Sequence, residues 1–303
     1  MVGEEASPSL PTLSDRDWER VRGALDGHVH AAPSLAPRWG DDRELAQAAR
    51  AAGMAGFVLK AHEGDSAARA DLLRREFPGL GVLGGVVLNP PAGGLNPAAV
   101  ETTLRLGGRV VWLPTMFARA HVEHVGDTSG IPGTGRVPGR DPVALVDETG
   151  RPVPALREIL DLIRQYDAVL ATGHVAGAEL EAAVRAGREA GVRIVVTHPE
   201  YHVPNLSAAA QRELAQAGVW LEKCYLTTFP GQGAGDLADM AARIAHIGPE
   251  RLVLVTDFGQ APRGSPVEGL ARFLKGLAEA GVPEAWIARM ARDNPRELFA
   301  ADR

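Results

Sequence analysis

The chain is poor in several things at once. It has one cysteine, Cys224, in 303 residues, so no intrachain disulfide staples it and paired-thiol chemistry is excluded. Of its 32 basic residues only Lys60, Lys223 and Lys275 are lysines, so Arg supplies nearly all the cations. Aromatics make up 5%, and no basic stripe interleaved with aromatics runs along the chain, which argues against a nucleic-acid surface. No apolar run reaches the roughly 18–20 residues that span a bilayer. The opening MVGEEASPSLPTLSDRDWERV has neither the basic n-region nor the apolar h-region of a secretory signal. These absences predict a cytoplasmic protein with no nucleic-acid or membrane partner. A homo-oligomer remains compatible with them.

What is present suits a large globular enzyme. The chain is 45% hydrophobic with a formal charge of −6 and no charge blocks, and its length fits one large domain or two ordinary ones. Apolar runs rich in Val, Ile and Leu occur at about 24–31, 55–61, 81–88, 109–116, 168–174, 192–198, 218–225 and 251–257. They lack clean alternation, as expected of parallel strands buried on both faces. Segments with helical spacing lie between them, at 41–52, 65–76, 97–106, 154–166, 177–190, 207–217, 234–247 and 266–280. Asp41, Asn96, Ser207 and Ser265 are candidate N-caps, and Gly53, Gly107, Gly191, Gly218 and Gly281 candidate C-caps. Eight strand–helix units predict a (β/α)8 TIM barrel; a doubly wound open sheet is the runner-up. The segment 118–153 is too long for a simple connection and reads as an insertion serving as lid or substrate loop, ending in a small hairpin around Glu148-Thr149-Gly150. Residues 283–299 read as a closing helix and final turn. One domain over 1–303 is the expectation.

The chemistry-bearing residues close the apolar runs: His28 and His30 in LDGHVHAA, Lys60 in GFVLKAH, His174 in VLATGHV, His198 in IVVTHPE and Asp257 in LVLVTDFG. In a parallel barrel all strands end on one face, where active sites sit. Two histidines two apart on a strand point to one side. Several imidazoles with a carboxylate suit Zn²⁺, with Mn²⁺, Fe²⁺ or Ni²⁺ as substitutes. His28, His30, Lys60, His174, His198 and Asp257 are therefore the candidate metal residues, one or two ions per chain. Asp257 and His198 are the candidate catalytic groups. Such a centre activates water against a carbonyl or phosphoryl centre, with Asp257 carrying the proton to the leaving group.

Lys60 has three readings. Its amine reacts with CO₂ to give an anionic carbamate that bridges two metals, it stays cationic and holds a substrate anion, or it forms a structural ion pair. His62 is a candidate second-sphere or substrate-facing residue. Glu222 and Lys223 point to opposite sides of their strand, so at most one faces the mouth; Glu222 is the candidate substrate contact. His121, His124 and His202 fall in loops above the expected site.

This set resembles the amidohydrolase superfamily, whose members are distorted TIM barrels with HxH on the first strand, His on the fifth and sixth and Asp on the eighth. His28/His30, His174, His198 and Asp257 match that order, and the closing DNPRELF is similar to the family's NP-containing end. The resemblance spans nearly the whole chain. It implies metal-dependent hydrolysis of an amide, cyclic amide, ester or phosphoester bond in a small anionic substrate. The fourth run, RVVWLPTMF, departs from the pattern by lacking the ligand that many binuclear members carry there. Lys60 then takes that role, or the site is mononuclear with His198 orienting water or substrate. A mononuclear decarboxylase of the same superfamily is the second reading, and a non-catalytic ligand-binding barrel the third.

Overall fold

The computed structural model describes residues 12–125 and 141–299. Nine parallel strand segments run through them: β1 Leu25–Val29, β2 Gly56–Leu59, β3 Gly81–Leu83, β4 Gly85–Val87, β5 Val110–Trp112, β6 Val169–Ala171, β7 Arg193–Val196, β8 Trp220–Cys224 and β9 Leu252–Val255. β1, β2 and β3 pair in order, and β4 to β9 pair in order. All pairs are parallel.

β3 and β4 are two halves of one barrel strand, broken at Gly84. A Cβ at Gly84 would lie 2.6 Å from the Ser66 carbonyl oxygen, so only glycine lets that backbone pass. Ser66 spans the gap: its hydroxyl donates to the Leu59 carbonyl at 2.6 Å and accepts from Gly85 N at 3.0 Å. The other edge closes at β9 and β1, where Val29 bridges Phe258 in parallel. Asp257 N donates to the His28 carbonyl (2.9 Å) and His30 N to the Phe258 carbonyl (2.8 Å). The architecture is thus an eight-strand TIM barrel with one strand in two pieces.

The core has two shells. Leu25, Val58, Val87, Trp112, Val195 and Val255 pack inside the barrel with Leu298 and Phe299 of the C-terminal helix. Leu59, Val111, Leu170, Val196 and Leu254 pack between the barrel and its helices. Asp41, Asn96 and Ser207 cap their helices by accepting backbone N–H groups, which satisfies donors orphaned at a helix start. Ser265 stands at the N-cap position without a side-chain cap bond. A helix over Asp15–Val21 precedes β1, where no helix was expected. The end of the chain is a helix over Glu284–Ala288, a wider turn over Arg289–Asp293 and a helix over Asn294–Phe299. The middle of the expected 118–153 insertion lies outside the described residues. Its start is a helix over Arg119–Val125, and its end has a tight turn in which Val146 bridges Pro152. Among the described residues no helix is long and apolar enough to cross a membrane.

Asp26 clamps the β1–β9 seam. Its carboxylate accepts from the Thr256 hydroxyl at 2.6 Å and from the Thr256 and His28 amides at 3.1 Å each. Burial, against these bonds, pushes its pKa up to about 7. The folded chain therefore holds a proton that the unfolded chain releases near its ordinary value of 3.8, and stability falls as pH rises between the two. Asp26→Asn is expected to flatten the pH dependence of denaturant unfolding between about pH 4 and 7. Asp26→Ala should destabilise by about 1–3 kcal/mol for each buried donor it leaves unpaired.

Candidate active site

A local fault in β1 sets the orientation of its histidines. The β1–β2 register shifts between Asp26 and Val29. Leu25 belongs to the inner shell and Val29 to the outer, so the odd positions change face across this bulge. His28 and His30 consequently point inward. Elsewhere simple alternation suffices. Val58 is inward and Leu59 outward, so Lys60 is inward. Val253 and Val255 are inward, and Asp257 continues the row.

At the mouth, Asp257 Oδ1 lies 3.1 Å from His28 Nε2 and 2.9 Å from His30 Nε2. One ligand atom from each of these three buried residues falls within 4.8 Å of the others. Among the described residues this is the single such group of His, Cys, Asp or Glu. Lys60 Nζ is 3.0 Å from His28 Nε2. Asp257 and His198 both sit in the left-handed region, at φ 55° and 27°. That conformation costs a non-glycine residue about 1–3 kcal/mol and clusters at functional sites.

Donor–acceptor bookkeeping tests whether a cation fits. His30 Nδ1 faces the Lys60 carbonyl oxygen at 2.9 Å, which only accepts, so Nδ1 carries the proton. Burial pushes the His30 pKa down to about 3, so the ring is neutral and its Nε2 lone pair points at a carboxylate oxygen. His28 Nδ1 likewise faces Glu222 Oε2 at 3.1 Å, which aims Nε2 at the same Asp257 oxygen. A neutral His30 turns a lone pair on an anionic oxygen, a contact that positive charge must offset, and Lys60 Nζ lies 3.0 Å from the neighbouring His28 Nε2. The opposing demand shows in His28: burial lowers its pKa, but Asp257 and Glu222 outweigh burial and raise it to about 9. Positive charge is favoured here, whether as a proton on His28 or as a divalent ion, and His28, His30 and Asp257 could hold such an ion with both outer nitrogens already tied. Burial raises the Asp257 pKa, yet the adjacent imidazoles hold it well below the carboxylate range, so it is an anion ready to ligate.

The remaining expected residues divide. His62, His174, His198 and Lys60 line one cavity of about 380 Å³ with Asp257, Tyr201, Gln260 and Arg263. Burial lowers the pKa of Lys60, while Asp257 and Glu222 pull it back up. Burial holds His62 and His174 well below the usual imidazole range and His198 at about 3. His62 Nδ1 pairs with the Thr115 hydroxyl at 3.1 Å, and its ring stacks on His30 with centroids 4.8 Å apart. His198 Nδ1 is buried with no hydrogen-bond partner among the described residues. Glu222, expected at the substrate, lies beneath the imidazoles: Oε2 meets both His28 Nδ1 and the His198 amide, at 3.1 and 3.0 Å. Lys223 points the other way and is buried against Glu200 and Gln211. Sequence reasoning did not single out Tyr201, Gln260 or Arg263; Tyr201 is in a loop and the other two belong to the short 3-10 turn Ala261–Arg263 and its N-cap, with no local pattern. His121, expected in a loop, is on the Arg119–Val125 helix and meets His174.

A profile described as a family of unknown function, DUF6282, matches residues 23–222. The chain belongs to this family. No curated protein matches it in sequence. In structure, this DUF6282 chain is similar to an amidohydrolase from Pseudomonas aeruginosa (TM-score 0.63, 14% identity, 95% of this chain and 100% of that one). It is also similar to an amidohydrolase from Burkholderia multivorans with bound zinc (0.58, 15%, 91% and 99%) and to 2,6-dihydroxybenzoate decarboxylase from Rhizobium (0.57, 13%, 93% and 100%). The DUF6282 chain therefore has the amidohydrolase-superfamily fold.

The bookkeeping makes a thermodynamic prediction. Adding Zn²⁺ to chelator-stripped protein should stabilise the fold, by about 2.7 kcal/mol at free ion a hundredfold above Kd. His28→Ala or Asp257→Ala should abolish the gain. Thermal unfolding with and without Zn²⁺ measures both.

Proposed function

We propose that this protein is a metal-dependent hydrolase that cleaves an amide, cyclic amide or ester bond in a small anionic substrate. The observation that carries the reading is the pair of buried imidazoles whose Nε2 atoms both face one Asp257 oxygen while their Nδ1 atoms are tied elsewhere. His28, His30 and Asp257 would hold the ion, with His174 and His198 at hand in the same cavity. When bound, a divalent cation, Zn²⁺ by the donor types, supplies Lewis acidity that polarises the scissile bond and eases proton loss from water.

The chain's own residues do the rest. Asp257 lines the cavity as an anion and can take a proton from water and return it to the leaving group. Glu222 holds His28, and the Lys60 carbonyl holds His30. Arg263 lines the cavity with its guanidinium 4.5 Å above the Phe229 ring, which presents a fixed cation to a substrate carboxylate or phosphate. The cavity volume suits a small molecule. Lys60 is buried with a depressed pKa, the condition under which its amine is a nucleophile toward CO₂. As a carbamate it would become an anionic ligand for a second ion. The single cysteine suits a reducing compartment, and we place the enzyme in the cytoplasm.

A mononuclear decarboxylase is the second reading, favoured by the single three-donor cluster among the described residues.

Metal per chain, measured by elemental analysis after purification in bicarbonate without chelator, separates these readings. Two ions, with a mass gain of one CO₂ that Lys60→Met removes, support the binuclear hydrolase. One ion, with CO₂ release from aromatic acids and no hydrolysis of N-acyl amino acids, cyclic amides or lactones, supports the decarboxylase. No ion, even after reconstitution, overturns both. Against a substrate so found, Asp257→Asn should lower kcat/KM by about 10²–10⁴-fold, and Arg263→Met should act mainly on KM.

A further inference from the structure

The described start of the 118–153 segment reaches into the site through one side chain. His121 is buried, and its Nδ1 lies 2.9 Å from His174 Nδ1. The two rings are 4.7 Å apart and tilted by 40°. One helical turn on, His124 stacks on His202 at 5.4 Å and 17°. The short helix Arg119–Val125 is thus seated against the loop that follows β7 as well as against His174, in the turn beyond β6.

Two ring nitrogens in contact share one proton, and who carries it decides what the far side of each ring can do. If His121 donated, His174 Nδ1 would accept and its Nε2 would carry hydrogen, unable to face a cation. If His174 donates, its Nε2 keeps a lone pair. His174 lines the cavity beside His198 and Asp257, so only the second arrangement is compatible with an ion there. We propose that His121 is a positioning residue for His174, accepting the Nδ1–H of His174 and so fixing the tautomer that leaves Nε2 free to bind a divalent cation. A carboxylate, carbonyl or water usually holds the outer nitrogen of a ligand imidazole; here a second imidazole from the insertion does so. The proposal rests on the reading of His174 as a metal ligand.

The test uses the full chain and Zn²⁺ alone, with affinity read by competition against a chromophoric chelator and ligand geometry by the visible spectrum of the Co²⁺ form. His121→Ala is expected to weaken Zn²⁺ binding about 10–100-fold and to shift the Co²⁺ spectrum, with unfolding of the metal-free protein little changed. His121→Asn, whose Oδ1 replaces Nδ1 as acceptor, should restore most of the affinity. Wild-type affinity and spectrum in His121→Ala overturn the proposal. So does loss of a whole equivalent of Zn²⁺, since His121 would then be a ligand itself. If His174→Ala binds Zn²⁺ normally while His28→Ala does not, the premise about His174 fails and the proposal with it. If neither variant loses Zn²⁺, the metal reading itself is wrong.

Discussion

Two backbone hydrogen bonds, Asp257 N to the His28 carbonyl and His30 N to the Phe258 carbonyl, join the last strand of the barrel to the first. They bring together three side chains separated by most of the chain. Asp26 reinforces the same seam from one residue pair deeper, holding Thr256 by its hydroxyl and its amide. Barrel closure and site assembly are therefore one event, and the site cannot exist in a partly zipped chain. The bulge in β1 belongs to this arrangement. Without its change of face, closure would bring Val29 rather than the imidazoles to Asp257.

Closure also creates an electrostatic load. Asp257 and Asp26 are buried at the seam, and Glu222 and Lys60 are buried on the strands that flank it. Removing isolated charges from water costs several kcal/mol each, repaid only by close partners and satisfied lone pairs. Glu222 has its partners in the His28 ring and the His198 amide, and Asp26 avoids the charge by keeping its proton to about pH 7. Around Asp257 the balance depends on positive charge, on His28, on Lys60 or on a cation bound between them. The most strained backbone positions of the site, His198 and Asp257, lie at this point. Geometry, strain and charge concentrate at the same point.

The barrel was legible in the sequence because strands buried on both faces read as unbroken Val, Ile and Leu runs, and the residues that end them carry the chemistry. His28, Lys60, His174, His198 and Asp257 do converge on one mouth. Other features depend on contacts between distant segments. The break at Gly84 reflects the approach of Ser66, and nothing around VLGG announces that. The pairing of His121 with His174 depends on how the Arg119–Val125 helix is seated against the residues beyond β6, which no local pattern shows. The inward turn of Glu222, as against Lys223, follows from strand phase, but its role beneath His28 needs the neighbouring strand. The Asp15–Val21 helix is short enough that its packing, not its propensity, decides it.

Glu222 Oε2 meets both the His28 ring and the His198 backbone. One oxygen atom thus sets a side-chain angle on the first strand and a main-chain position after β7. The two histidines share a single support and cannot relax separately. Substitutions at 28 and 198 will therefore combine non-additively, and a double-mutant cycle between them would read the stiffness of one carboxylate as much as any affinity of the imidazoles.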